Sequence, residues 1–158
     1  MDILIPEFKE ILLLLLSHDV RFMLIGGYSV IYYGYERSTT DMDVWLDPDN
    51  SNKEKVISAL KELDLSEESI SKLSNLDFSV PQVFYYGQQP KRIDFLTHIQ
   101  NVHFSEAFKR SNRLPIDDKL IHVIHFDDLI LSKISSDRLK DKADVEELQK
   151  INKFRKGK

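Results

Sequence analysis

Two aspartates, Asp41 and Asp43, follow the glycine pair Gly26-Gly27 after a spacer of thirteen residues. The glycine pair comes directly after an apolar run at residues 22–25, which is typical of a buried β-strand. Side chains two residues apart on a strand point to the same face, about 6.6 Å apart along the chain. Two carboxylates held in this way beside a glycine turn are suited to bind a divalent metal ion and to receive a phosphate chain.

The glycine pair also favours close approach of an anion to the backbone. Without a Cβ atom, Gly26 and Gly27 permit positive φ angles and leave room for a phosphate group. A helix that begins at this turn would direct its free N–H groups to the same point. A Gly-Gly pair is more often a plain tight turn, so only its position between a strand and a helix favours a binding site.

The residues before the aspartates supply further groups that bind phosphate. If the extended conformation begins early, Arg37 and Thr39 share a face with Asp41 and Asp43. The alternative is a surface strand with a solvated acidic face. Against this alternative, Trp45 would lie on the same face as the two aspartates, and apolar residues would fill the opposite face. This pattern indicates a strand with core on both sides. Because like charges so close repel each other, a cation is the expected partner of the two acids.

A third carboxylate, Asp94, interrupts an otherwise apolar strand. Neighbouring strands lie about 4.8 Å apart, so Asp94 could reach a pair of metal ions about 3.5–4 Å apart. The alternative is an aspartate on an edge strand that pairs with Arg92 or Lys91. We predict Asp41, Asp43 and Asp94 as catalytic residues and as ligands of Mg²⁺ or Mn²⁺.

Together these elements resemble the DNA polymerase β-type nucleotidyltransferase superfamily. Its pattern is a hydrophobic residue with two glycines, thirteen residues, Asp-hydrophobic-Asp-hydrophobic, and later hydrophobic-Asp-hydrophobic. Residues 25–27, 41–44 and 93–95 fill the three elements. Two further stretches resemble small stand-alone bacterial members, including abortive-infection type toxins: residues 37–43, and Lys133 followed by Arg138, Asp141 and Asp144.

The resemblance covers about residues 20–150 and implies a metal-dependent nucleotidyltransferase. Such an enzyme moves a nucleoside monophosphate from a triphosphate such as ATP to an acceptor hydroxyl and releases pyrophosphate. The residues implied in nucleotide binding are Gly26, Gly27, Arg37, Thr39 and Lys133. The acceptor stays open among a small molecule such as an antibiotic, a protein side chain and a tRNA 3′ end. A toxin of this kind would have an antitoxin partner.

Two features leave alternatives open within this resemblance. The family often has Gly-Ser where this chain has Gly26-Gly27, and Ser29 or Thr39 is a candidate for the missing hydroxyl.

Lys133 lies among aliphatic residues, where a lysine usually extends its ammonium group to solvent. In the family, a lysine here would hold the triphosphate. Nearby, Arg138 and Asp141 are equally well explained as an ion pair at a helix start, and Asp144 is expected to orient a basic neighbour.

Two other classes of protein share parts of this pattern. One is a nucleotide- or partner-binding module of the same fold that has lost catalysis. The presence of all three acids argues against such a module, and the missing serine hydroxyl argues mildly for it. The other class is a Mn²⁺-dependent glycosyltransferase with Asp41-Met42-Asp43 as its Asp-X-Asp motif. That enzyme would have a larger sugar-nucleotide domain and no need of the glycine pair.

The elements that must position these residues alternate between helical and strand-like patterns. We predict helices at 6–17 and 28–33, one capped by Asn50 or Ser51, one capped by Asp127, and a last one at about 139–154. Strands are predicted at 21–25 and 41–46, with two hairpins formed by 83–86 with 92–96 and by 114–116 with 120–124. Residues 64–80 are predicted as a loop with one or two helical turns. The fold class is therefore α/β (α+β), a nucleotidyltransferase-like mixed β-sheet with helices packed on it, in a single domain over residues 1–158.

Composition narrows the possible classes of protein. The chain is 42% hydrophobic and 30% charged, which is ordinary for a soluble domain. Its longest aliphatic run, Ile11–Leu16, is far shorter than the ~20 residues needed to span a bilayer. No basic region precedes an apolar one, so a secretory signal is not expected. The absence of cysteine excludes disulfides and thiolate metal sites, and a cytoplasmic protein without membrane contact is expected.

A basic tail at about 149–158 contains five basic residues and no acidic one, in a chain of net charge −4. Such a tail could contact RNA. We favour the interpretation that it ends a helix, where positive charge complements the helix dipole. The five histidines show no metal-ligand spacing and are expected in the core or at the surface. The tyrosines near the glycine turn are expected to pack, although one could stack on a base.

Overall fold

The computed structural model of the protein describes residues 3–156. Within this range one mixed sheet is formed by β1 (Phe22–Ile25), β2 (Met42–Leu46), β3 (Val83–Tyr86), β4 (Ile93–Leu96), β5 (Asn112–Ile116) and β6 (Lys119–Val123). The helices are α1 (Pro6–Ser17), α2 (Gly26–Tyr32), α3 (Asn50–Leu60), α4 (Glu67–Ser74), α5 (Phe104–Arg110), α6 (Phe126–Ile134) and α7 (Leu139–Lys156). The predicted α/β class with a mixed sheet is confirmed.

The strand order is β3-β4-β2-β1-β6-β5. Strand β2 pairs antiparallel with β1 and parallel with β4, whereas β1 also pairs parallel with β6. The two predicted hairpins are confirmed as the antiparallel pairs β3–β4 and β5–β6. The strands that carry the predicted site residues therefore lie inside the sheet and not at its edges.

Strand β2 is covered on both faces. Met42 and Val44 are fully buried on one face, and Trp45 is buried on the other. The indole ring of Trp45 packs edge-on against Phe104 of α5, with ring centroids 5.2 Å apart. Its Nε1–H donates a hydrogen bond of 2.9 Å to the carbonyl oxygen of Thr97. Because both faces are packed, the backbone that carries Asp43 is held firmly in place.

The structure differs from the sequence prediction at several helix starts. Helix α5 was not predicted, because seven residues are too few for a clear helical period. Helix α6 begins one residue before the predicted cap Asp127, and His125 is the actual cap, since its Nδ1 accepts from the Asp127 N–H at 3.1 Å. Helix α3 is capped by Asp49, whose carboxylate accepts from the Ser51 N–H at 2.7 Å.

The basic residues near the C-terminus belong to α7, as the helical interpretation of the tail predicts. Lys153, Arg155 and Lys156 lie in its last turn, where they complement the helix dipole. The final two residues of the predicted tail, 157 and 158, lie outside the described range. Within residues 3–156, no helix combines the length and apolar character needed to cross a bilayer.

Candidate active site

Strand β1 ends in the predicted glycine turn, where α2 begins. Gly26 has a φ angle of 68°, in the left-handed region that favours glycine. A Cβ atom at Gly26 would lie only 2.1 Å from Oδ2 of Asp43. Any other residue at this position would therefore strain the backbone and collide with the carboxylate. The turn lies directly against Asp43, as the spacing of the two motifs suggests.

Asp43 and Asp94 are register partners on the parallel strands β2 and β4. Their side chains therefore share one face of the sheet, on strands about 4.8 Å apart. The same register row continues to Ile25 of β1 on one side and to Tyr85 of β3 on the other. The two carboxylates thus lie side by side between the glycine turn and the ring of Tyr85, which is 58% exposed.

Asp41 lies immediately before β2 and is held by the β3–β4 turn. Its Oδ1 accepts from the Arg92 backbone N–H at 3.2 Å, and its Oδ2 accepts from Nε2 of Gln89 at 3.0 Å. The structure therefore brings the three predicted carboxylates to neighbouring positions at the same end of β2 and β4. Their roles as metal ligands and catalytic residues stay predictions.

Arg92 connects two of these acids. Its Nε and Nη2 donate to the two oxygens of Asp94 at 2.7 and 3.2 Å, and Nη2 lies 3.7 Å from Oδ2 of Asp41. The guanidinium carbon lies 4.3 Å from the centroid of the Tyr85 ring. From the sequence, Arg92 is expected only as an alternative partner of Asp94. Residues two apart on a strand share a face, so the spacing alone carried the signal that both belong to the site.

Burial and neighbouring charges, and not hydrogen bonds, determine the pKa of Asp43. Burial, and then the negative charge of Asp94, raise the pKa of Asp43 to about 6, although the charges of Lys133 and Arg138 oppose this shift. A cation placed beside Asp43 would offset both the burial and the repulsion from Asp94.

The donor chemistry of the three acids suits a hard divalent cation, because such ions prefer carboxylate oxygens. As they lie, however, no three His, Cys, Asp or Glu side chains within residues 3–156 are grouped so that they could hold a metal ion. Asp94 and Asp41 are directed towards Arg92 instead.

A second, basic group of side chains lies around the buried carboxylate of Asp144. Arg37 donates Nε and Nη2 to Asp144 at 2.8 and 3.0 Å. Nζ of Lys133 lies 2.8 Å from Asp141 and 3.1 Å from Asp144, so Lys133 does not extend to solvent. Arg138 and Asp141 form the ion pair expected at the start of α7, at 3.4 Å. Asp144 orients two basic side chains, one more than expected.

The turn side of the site is covered by Thr39 and Arg37. A Cβ atom at Gly27 would lie 2.3 Å from Oγ1 of Thr39 and 3.3 Å from Nη2 of Arg37. The hydroxyl of Thr39 therefore occupies the place that a side chain at position 27 would take. Ser29, the other candidate hydroxyl, is fully buried and donates to the carbonyl oxygen of Gly26 at 2.6 Å. Of the two, Thr39 is the residue placed to replace a serine at position 27.

Gly27→Ala is expected to lower the free energy of unfolding by about 2 kcal/mol, because the new methyl group overlaps the Thr39 hydroxyl. In a Thr39→Ala background the same substitution should cost less, since the closest overlapping atom is gone and only Cβ of residue 39, at 3.0 Å, and Nη2 of Arg37, at 3.3 Å, remain near the new methyl group. Urea denaturation of the four proteins in this cycle measures the difference. Equal losses in both backgrounds would show that the Thr39 hydroxyl does not restrict position 27.

His122 has a structural role. The ring of His122 stacks on Phe108 with centroids 3.9 Å apart, and its Nδ1 lies 2.7 Å from Oγ of Ser111. Burial, with the nearby charges of Arg113 and Arg21, lowers the pKa of His122 to about 4. His122 is therefore neutral at physiological pH and belongs to the packing between α5 and β6.

Comparison with known proteins identifies the family of the chain. No curated protein matches the chain. A family model described as "Nucleotidyltransferase of unknown function (DUF6036)" matches residues 3–155, which is nearly the whole chain and includes all the site residues discussed above. The chain therefore belongs to this family of nucleotidyltransferases.

Proposed function

We propose that the protein is a metal-dependent nucleotidyltransferase that moves a nucleoside monophosphate from a nucleoside triphosphate to an acceptor hydroxyl and releases pyrophosphate. The observation that carries this proposal is the register pairing of Asp43 and Asp94 beside the glycine turn. Membership of a nucleotidyltransferase family supports the general class of reaction.

Asp41, Asp43 and Asp94 would hold Mg²⁺ or Mn²⁺. When bound, such an ion neutralises the triphosphate and stabilises the charge that develops on the transferred phosphoryl group. The surroundings of Asp43 support this assignment, because burial and the charge of Asp94 raise its pKa and a bound cation would offset both.

The nucleotide would bind on the side of Gly26 and Gly27. The absence of a Cβ atom lets phosphate oxygens approach the backbone there, and the hydroxyl of Thr39 lies against the same turn. Arg37 and Lys133 would donate hydrogen bonds to the triphosphate. Asp144 forms ion pairs with both side chains, so its main effect would be to fix their orientation before the nucleotide binds.

The acceptor would approach from the opposite side of the register row, past Tyr85. There Asp94 would accept the proton of the acceptor hydroxyl, and the hydroxyl oxygen would attack the α-phosphorus in line. The bond from the α-phosphorus to its bridging oxygen breaks, and pyrophosphate leaves. The acceptor candidates remain a small molecule, a protein side chain and a tRNA 3′ end. A toxin role with an antitoxin partner rests on the sequence resemblance alone.

One observation favours a second candidate function, a nucleotide-binding module without catalysis. Arg92 occupies both oxygens of Asp94, the group that would act on the acceptor. If this pair were permanent, the site could bind a nucleotide at the glycine turn but could not activate a hydroxyl.

Incubation with α-labelled nucleoside triphosphates, Mg²⁺ or Mn²⁺ and cell extract tests the proposal. We expect label to appear on one class of acceptor with the wild-type protein and to be absent with Asp43→Asn. Asp118→Asn, on the exposed β5–β6 turn, serves as a charge-matched control that should label normally. Absence of label under all conditions, in a protein that still binds nucleotide, would favour the binding module.

A further inference from the structure

We propose that Arg92 is a built-in counter-cation that competes with a divalent metal ion for Asp94 and Asp41. This inference rests on the proposed function, since it concerns the same three carboxylates. It assigns to Arg92 control over when the acidic site can accept a metal ion.

The contacts of Arg92 support direct competition. Both oxygens of Asp94 accept from its guanidinium, at 2.7 and 3.2 Å, in the paired geometry that binds a carboxylate most strongly. Asp41 lies within 3.7 Å of the same group. A metal ion on these oxygens would lie next to the positive charge of Arg92, so the two cations exclude each other.

The surroundings of Arg92 allow its guanidinium to release Asp94 and still remain beside the site. Its side chain is 29% exposed, so a route to solvent is open. The face of its guanidinium stacks at 4.3 Å on Tyr85, which belongs to β3 and not to the acidic group. This cation–π contact can retain Arg92 beside the site after Asp94 has been released.

Titration of nucleotide-free protein with Mn²⁺, followed by the electron paramagnetic resonance signal of the free ion, tests the proposal. Arg92→Ala is expected to bind Mn²⁺ about tenfold more tightly than the wild-type protein, because the competing cation is gone. The gain should disappear in the double variant Arg92→Ala with Asp94→Asn. Unchanged or weaker Mn²⁺ binding by Arg92→Ala would overturn the proposal.

Thermal unfolding provides a second measurement. In a chelator, Arg92→Ala should melt at a lower temperature than the wild-type protein, since Asp94 and Asp41 then lack their counter-charge. Mn²⁺ should restore the melting temperature of the variant and raise that of the wild-type protein by less. A variant that stays destabilised at saturating Mn²⁺ would mean that Arg92 has only a structural role.

Arg110→Ala is a matched control, because Arg110 makes the same two-bond pair with Asp128, at 3.0 and 2.9 Å, between α5 and α6. Its loss should lower the melting temperature without any recovery in Mn²⁺ and without a change in Mn²⁺ affinity. Tighter Mn²⁺ binding by Arg110→Ala as well would point to net charge and overturn the specific role of Arg92. Failure of both wild type and Arg92→Ala to bind Mn²⁺ would refute the proposed metal site itself, whereas equal binding by the two would refute only the competition.

Discussion

Asp94→Asn is expected to reduce nucleotidyl transfer by about a thousandfold while changing the affinity for the nucleoside triphosphate by less than about threefold. An amide cannot accept the proton of the acceptor hydroxyl and is a poorer ligand for a metal ion than a carboxylate. Nucleotide affinity should persist because the main contacts of the triphosphate would lie at the glycine turn, Arg37 and Lys133. Equilibrium binding and transfer are measured on the same preparation.

The result separates the possible roles of Asp94. Transfer at the wild-type rate would remove Asp94 from the mechanism. Loss of nucleotide binding together with transfer would instead assign Asp94 to the metal–nucleotide complex. Asp118→Asn should change neither quantity, because its side chain is exposed on the β5–β6 turn far along the sheet from the site.

Asp43→Asn is expected to raise the free energy of unfolding by about 2 to 3 kcal/mol at pH 8 in the presence of a chelator. The pKa of Asp43 is about 6 in the folded protein, against 3.8 for an unperturbed aspartate. The folded state therefore holds this proton more tightly than the unfolded state. The contribution of this tighter proton binding to the free energy of unfolding is fully present below pH 3.8 and is lost as the pH rises through 6. Because an amide does not ionise, the Asp43→Asn variant does not lose this stability as the pH rises.

The advantage of Asp43→Asn should shrink as the pH falls through 6 and should vanish near pH 4. Urea denaturation at several pH values, with Asp118→Asn as the control, measures this profile. With saturating Mg²⁺ and nucleotide the order should reverse, since the ligand stabilises the wild-type protein by mass action. A variant less stable than the wild-type protein at pH 8 would show that Asp43 has a compensating partner after all.

Much of the fold could be predicted because the hydrophobic period is clear in its longer elements. Pro6 at the start of α1 and the turn residues between β3 and β4 carry local signals, and both elements are confirmed. Helix α5 was missed because Phe104–Arg110 contains too few turns. The strand order was not predicted, since pairing between distant strands depends on packing that no local pattern records.

The same contrast between local and long-range signals applies to the contacts of the candidate site. Asp41, Asp43 and the glycine turn are close in sequence, and their contact follows from strand geometry and chain length. The sequence indicates a pairing of Arg92 with Asp94 only as an alternative to a site, because a strand pattern shows that two side chains share a face and not whether they bind each other. The partner of Arg37 could not be found locally, since Asp144 lies 107 residues further along the chain.

That distance has a consequence for biosynthesis. A ribosome makes the chain from its amino terminus, so the glycine turn, the aspartates and Arg37 all leave the exit tunnel long before α7. Until α7 docks, Arg37 and Lys133 have no carboxylate from Asp144 to hold them. The basic side of the site is therefore assembled last, and a nascent chain that stops short of Asp144 carries the acids and the turn without their ordered counterpart.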